Sequence, residues 1–442
     1  MQEVFVGAHV YPWEIQDETS FAALSTMKAA GVNHILLAVN ASAQLHPPRP
    51  AAWFPHNPKR NQYTSEDGRF YIKIRDGAFD QLRLRPLMTS DKDLEDHDVL
   101  QGVLNCSLGR QFKIYASLEC LNIGSLAQAE PDCAVRDMEG RRHRYWLCPS
   151  NPDVKRFLLT LVEEIMTNYG IDGLLLDKIG FLWPHTTVSR LKDGIVCFCE
   201  HCVEEASKIG LNLEQIREKL DRLVQTLTEK PSLFRLPPQA GLVPVVIRNS
   251  DLLRFLRFRC YLTTRLVSEI RETVRKRNPN LKVGLSLFAP RTSWIVGQDL
   301  RELRNNCDWI KVMTRPVFWS NYTLELLKDI ESSVRVRDSR GIFLMEWARL
   351  NGFATATKSS GRSFSIPSSV IYSETVKAKL LVNNRVPVYP EVETWAGTPE
   401  VVSERVKSAI TPHFEGLVIW TYDWTSLRNL NAFRRTIDRF TN

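Results

Sequence analysis

Eight short apolar runs, each closed by polar or aromatic residues and separated by amphipathic stretches, constrain the fold of this chain more than any other feature. They read EVFVGAHVY (3–11), VNHILLAVN (32–40), FKIYASLECL (112–121), IDGLLLDKIGF (171–181), LKVGLSLFAP (281–290), DWIKVMTRP (308–316), VPVYPEVETW (386–395) and GLVIWTYDW (416–424). Runs this short, bounded by turn residues, are the signature of buried strands. Between them, TSFAALSTMKAAG (19–31), NPDVKRFLLTLVEEIMTNYG (151–170), SDLLRFLRFRCYLTTRLVSEIRETVRKR (250–277), PSSVIYSETVKAKLLV (367–382) and PEVVSERVKSAI (399–410) carry apolar residues at helical spacing. Strand and helix alternating eight times predict an α/β protein, a (β/α)8 or TIM barrel, with its site at the C-terminal ends of the strands.

Three connections are too long for simple barrel loops: about 41–111 after the second strand, 182–249 after the fourth and 317–366 after the sixth. Loops of that length carry function or cover a site. Without an internal repeat at a period of 20 to 50 residues, the expectation is a single barrel domain, residues 1–442, with three insertions. Apolar residues make up 43% and charged residues 24% of the chain, near the average for a soluble globular protein, so neither a disordered nor a membrane class is suggested. The opening MQEVFVGAHVYPW lacks a basic region followed by an apolar stretch. A cytoplasmic location follows, or a secreted one if a signal peptide has been removed. The net charge of +8 is a modest excess, and the densest basic stretch has helical apolar spacing. It reads as a solvated helix face rather than a nucleic-acid surface.

Residues 197–202 read CFCEHC, three of the chain's nine cysteines in six positions. Three thiolates on one tight loop want a fourth ligand to close a tetrahedral zinc site. Cys148, in RRHRYWLCPSNP before the fourth strand, is the best candidate to join Cys197, Cys199 and Cys202; His201, Cys120 and Cys133 are alternatives. Three buried free thiols, or a redox pair at Cys199 and Cys202, are the competing readings. Four cysteine ligands leave no open coordination position, so the zinc would be structural. No organic cofactor is expected.

Glu14, Glu119, Asp177, Glu391, Glu393 and Asp423 stand at or near the predicted strand ends. Asp177, beside Lys178, directly follows a buried run, where a carboxylate is costly unless paired or used. An ion pair with Lys178 or Arg142 is the bland explanation; for Glu391 and Glu393 it is a solvated strand exit. Glu346, in GIFLMEWARLNG, is a further acid, read as part of a short helix. Tyr11, Trp13, Trp53, Trp183, Tyr389, Trp395, Trp420, Tyr422 and Trp424 crowd the same ends. Aromatic faces stack on sugar rings while polar neighbours take the hydroxyls, which predicts a carbohydrate cleft. His9, Tyr11, Asn40, Glu119, Lys178, Tyr389, Trp395 and Trp420 are the expected substrate contacts.

The stretch EGRRHRYWLCPSNPDVKRFLLTLVEEIMTNYGIDGLLLDKIGF followed by CFCEHC resembles the glycoside hydrolase barrels of the large retaining clan. GRRHRYWLCPSNP with CFCEHC is similar to the zinc-holding region of family 42 β-galactosidases. That resemblance implies Cys148, Cys197, Cys199 and Cys202 as ligands, Asp177 as acid/base on strand four, and Glu393, with Glu391 behind it, as nucleophile on strand seven. It covers about residues 130–205 closely and the rest only in architecture. The chain departs from the family in having Asp177-Lys178 where an Asn-Glu pair is usual, and Gly180 where related barrels place an Arg. The expected activity is retaining hydrolysis of an oligosaccharide or glycoconjugate; the alternative is a barrel that binds carbohydrate without turnover. Related barrels form dimers or trimers, so a homo-oligomer is compatible, though no residue run marks the surface.

Overall fold

The structure, a computed structural model, describes residues 3–42, 49–50, 55–57, 62–63, 67–182, 195–229, 250–333 and 365–441. Each of the eight apolar runs contains a strand: β1 (Phe5–Val10), β2 (His34–Ala38), β3 (Lys113–Glu119), β4 (Gly173–Asp177), β5 (Lys282–Phe288), β6 (Trp309–Met313), β7 (Val388–Glu393) and β8 (Gly416–Trp420). They pair in parallel in sequence order, and β8 returns to β1 with Phe5 opposite Gly416. The TIM barrel expected from the sequence is therefore closed.

Helices cover its outside, and local chemistry sets their ends. Pro152–Asn168 begins where the Asn151 side chain accepts from the Asp153 and Val154 amides, with proline in the first turn, a position whose missing N–H costs nothing. Its face of Val154, Phe157, Leu158, Leu161, Val162 and Ile165 is buried, an apolar stripe at helical period. The basic helix Ser250–Arg277 is less solvated than its composition suggests. Arg259 and Arg271 are buried, and Arg271 forks onto Asp308 at 2.6 and 2.8 Å. Among the described residues no helix is long and apolar enough to cross a membrane.

Inside the barrel, alternation along each strand sorts residues into layers. Phe5, Leu36, Tyr115, Leu175, Trp309, Tyr389 and Val418 form a cluster of their own, separate from the core under the helices. Gly284 is small by necessity, because a Cβ there would lie 2.3 Å from the Trp309 ring. This aromatic plug fills the lower barrel. Above it, at the same parity, stand His9, Glu119, Asp177, Lys311, Glu391, Glu393 and Trp420, so ionisable groups replace apolar ones toward the strand ends.

Candidate active site

Glu119 and Asp177, the last residues of β3 and β4, are Cα partners across the two strands, and both are buried. Asn40 braces the pair. Its amide donates to the Glu119 carbonyl at 3.0 Å and its oxygen accepts from the Glu119 amide at 2.9 Å. Asn40 thereby positions Glu119. Lys178 adopts a left-handed φ of 49° and donates its backbone N–H to Asp177 Oδ1 at 2.7 Å.

The two carboxyls are driven apart electrostatically. Burial would raise Asp177, but Lys311 and then Lys178 outweigh it and hold the carboxyl well below the usual range. Burial pushes Glu119 up to about 7; Lys178 opposes the rise and the Asp177 charge adds to it. The surroundings therefore favour an ionised Asp177 and bias Glu119 toward its protonated form. Glu119 Oε2 is buried and has no hydrogen-bond partner among the described residues. The Arg142 pairing considered for Asp177 is not formed, since Arg142 binds Asp132 and Glu200.

Lys311, absent from the sequence-derived site, is fully buried on β6, with Nζ 2.7 Å from Glu391 Oε1. Arg315 Nε lies 2.7 Å from Glu391 Oε2, an ion pair whose angle falls outside hydrogen-bond geometry. Both cations face the Trp420 ring, Arg315 Cζ at 4.1 Å and Lys311 Nζ at 5.1 Å from its centroid. A lone lysine inside WIKVM was a legible signal, by the same argument that singled out Asp177. Glu393 is buried too, and its oxygens accept from the Val317 and Phe318 amides at 2.7 and 3.1 Å, at the start of helix Pro316–Ser333. Burial still holds Glu393 above the usual carboxylate range. As drawn in the structure, the oxygens of both β7 glutamates are engaged by protein groups.

The remaining expected contacts divide. His9 sits 4.6 Å from the Trp420 ring, and burial with the Lys311 charge lowers its pKa, leaving the imidazole neutral. Tyr11 stacks on Trp13 at 4.4 Å. Trp395 and Trp424 meet edge to face at 5.7 Å. Tyr389 is a correction, since it stacks on Phe5 at 4.1 Å in the aromatic plug, below the strand ends. Its parity matches Glu391, but it lies near the start of β7 rather than at its end. Gly180 has φ +147° and a Cβ there would lie 2.6 Å from the Val296 carbonyl, so an arginine has no room at this position. Trp53, Trp183 and Glu346 lie outside the described residues.

Cys148, Cys197, Cys199 and Cys202 come together in a buried cluster, with all four sulfurs within 4.8 Å of one another. Cys148 Sγ is 3.4 Å from Cys199, 3.6 Å from Cys202 and 3.8 Å from Cys197. Such separations are too long for disulfides and match a tetrahedron of thiolates, where Zn–S bonds of ~2.3 Å put sulfurs about 3.8 Å apart. The Arg136 amide donates to Cys197 Sγ at 3.3 Å, a bond that suits a thiolate. This donor set fits a metal ion. His201, Cys120 and Cys133 are not in the cluster.

No family model and no curated protein matches the sequence. Solved structures do. The glycoside hydrolase domain of PgaB (BpsB) from Bordetella bronchiseptica aligns over 98% of this chain and 99% of its own, with 13% identity and a TM-score of 0.56. A β-galactosidase from the psychrophilic Marinomonas ef1 aligns over 99% of this chain and 59% of its own, at 10% identity and a TM-score of 0.53. An α-L-fucosidase isoenzyme from Paenibacillus thiaminolyticus aligns over 99% and 49%, at 11% identity and a TM-score of 0.51. The chain spans only part of the latter two. At these identities the likeness is one of fold, and it identifies the chain's architecture as a barrel shared with glycoside hydrolases.

Proposed function

We propose that this barrel is a glycoside hydrolase in which Glu119 is the general acid and Asp177 the ionised partner carboxylate. The observation that carries the reading is the in-register pair of buried carboxyls at the ends of β3 and β4, which their surroundings push in opposite directions. Carboxyls pushed apart by their surroundings supply acid and base from one site. Glycosidic cleavage needs that division of labour. Glu119 gives its proton to the leaving oxygen as the C–O bond breaks, and Asp177 attacks the anomeric carbon to form a glycosyl ester. Water then hydrolyses the ester, giving its proton to Glu119. The resemblance to the retaining clan favours retention of configuration.

This reading moves the roles suggested by family resemblance. A carboxyl held ionised by Lys311 and Lys178 has no proton to donate, which argues against Asp177 as the acid. Glu393 and Glu391 are instead read as groups that fix the start of a helix and the cation pair under Trp420. Trp420 and Trp395 supply aromatic surface for the sugar, with Tyr11 packed behind them, and His9 and Lys178 supply polar contacts. The cysteine cluster is read as a structural zinc site, with Cys148, Cys197, Cys199 and Cys202 as its ligands. The zinc would crosslink the segments before and after β4.

The test is a screen of chromogenic aryl glycosides and oligosaccharides with wild type, Glu119→Gln and Asp177→Asn. Turnover by wild type should fall about 10²–10⁴-fold in Glu119→Gln, and product anomers followed by NMR should show retention. Undiminished turnover in Glu119→Gln would remove the acid assignment. A second reading rests on the engaged oxygens of Glu391 and Glu393: the barrel binds carbohydrate without cutting it. Calorimetric binding with no turnover of the same glycans would establish that instead.

A further inference from the structure

We propose that Glu14, Glu18 and His56 form a second metal site, for a divalent cation that accepts mixed oxygen and imidazole ligands, beside the first and last strands of the barrel. Helix Pro12–Glu18 follows β1 directly and carries Glu14 and Glu18 four residues apart, hence on one face. His56 comes from the connection between β2 and β3.

The geometry turns on the ring nitrogens of His56. Nε2 lies 3.0 Å from the Tyr422 carbonyl oxygen, which only accepts, so Nε2 carries the hydrogen. In a neutral ring Nδ1 is then a lone pair. That lone pair faces Glu14 Oε1 at 3.3 Å and also contacts Glu18 Oε1. The three atoms lie within 4.8 Å of one another, and without a metal protons must relieve their crowding. Burial and then the Asp423 charge push Glu14 up to about 10, and burial would lower His56 but Glu18 outweighs it and raises the imidazole. Glu14 is fully buried and its Oε1 accepts no hydrogen bond.

Outer partners hold each of these side chains. Asn57 Nδ2 donates to Glu14 Oε2 at 3.1 Å and the Tyr422 hydroxyl to Glu18 Oε2 at 2.7 Å. One donor atom per residue is thereby left for a common point, as outer-shell hydrogen bonds do in metal sites. Neither glutamate pairs with a lysine or arginine among the described residues. A divalent cation would displace those protons and take over the neutralisation of both carboxylates. Imidazole with carboxylates suits Mn²⁺ or Zn²⁺, and three protein ligands leave positions for water. Such an ion would pin residues 55–57 to the rim of the barrel.

The competing arrangement is an imidazolium, with a proton on Nδ1 instead of a metal. Chelator-stripped full-length protein titrated with Mn²⁺ alone separates the two, because Mn²⁺ disfavours the thiolate cluster. Loss of the free Mn²⁺ electron paramagnetic resonance signal should report one ion per chain. Affinity should drop at least tenfold in Glu14→Gln, Glu18→Gln and His56→Asn, and stay at the wild-type level in Glu218→Gln, an exposed acid outside both clusters. No Mn²⁺ uptake by folded wild type, with His56 nitrogen shifts of an imidazolium at neutral pH, would overturn the site. Uptake unchanged in the isosteric glutamine variants would overturn it too. The readout is metal binding, so the outcome is independent of whether the barrel hydrolyses glycosides.

Discussion

At the scale of single residues, the site is governed by who neighbours whom. If Glu119 donates the proton, turnover should be flat at acid pH and fall about tenfold per unit above pH about 7. A pH profile of kcat checks this, and an alkaline limb placed near pH 10 would point to another acid. Stability carries the same signature with a definite sign. Folded Glu119 keeps its proton to about 7, whereas the unfolded chain releases it near the ordinary 4.5. Its contribution therefore declines as pH rises through that window, and wild type should lose urea resistance relative to Glu119→Gln. Asp177 acts oppositely: its contribution is full above the ordinary 3.8 and is lost as pH falls toward its depressed folded value. Lys311 is the residue whose removal should cost most. Lys311→Met strips a buried partner from Glu391 and should destabilise by about 3–5 kcal/mol. Adding Glu391→Gln should recover part of that, a non-additivity read from urea midpoints.

At the scale of elements, two connections are tied down by chemistry rather than by apolar burial alone. The cysteine cluster joins the segment after strand Arg142–Leu147 to the start of helix Glu200–Lys208, on either side of β4. If it holds zinc, the purified protein should contain one equivalent that a chromophoric chelator releases. Cys199→Ser should lose it and fall in stability by about 4 kcal/mol or more, as losses of structural metals do. The CFCEHC run announced this cluster because three thiols in six residues need little help from tertiary structure to meet. The Glu14, Glu18 and His56 group had no such announcement: its members come from two segments about forty residues apart in sequence, and only the fold turns His56 toward the helix.

At the scale of the whole molecule, the barrel separates a stabilising floor from a polar mouth. Trp309 packs 5.2 Å from Phe5, 5.4 Å from Tyr115 and 5.7 Å from Tyr389. Trp309→Ala should destabilise by about 3–5 kcal/mol through the cavity it leaves. Glycan affinity at the mouth should remain close to wild type, which calorimetry on the folded variant would read. An equal collapse of affinity would mean that floor and mouth are not separable. The sequence by itself determined the architecture, because eight buried runs alternating with amphipathic helices close in only one economical way, and it marked Asp177 and the cysteines that cluster. Period-two alternation could not decide height within the barrel, so Tyr389, Glu391 and Glu393 looked alike although one lies in the plug and two near the mouth. Nor could it reveal that Asn40 braces the Glu119 backbone or that Lys311 reaches Glu391. Those facts depend on register between strands distant in sequence, and register is set only when the sheet closes and every side chain of one parity meets the others around a common axis.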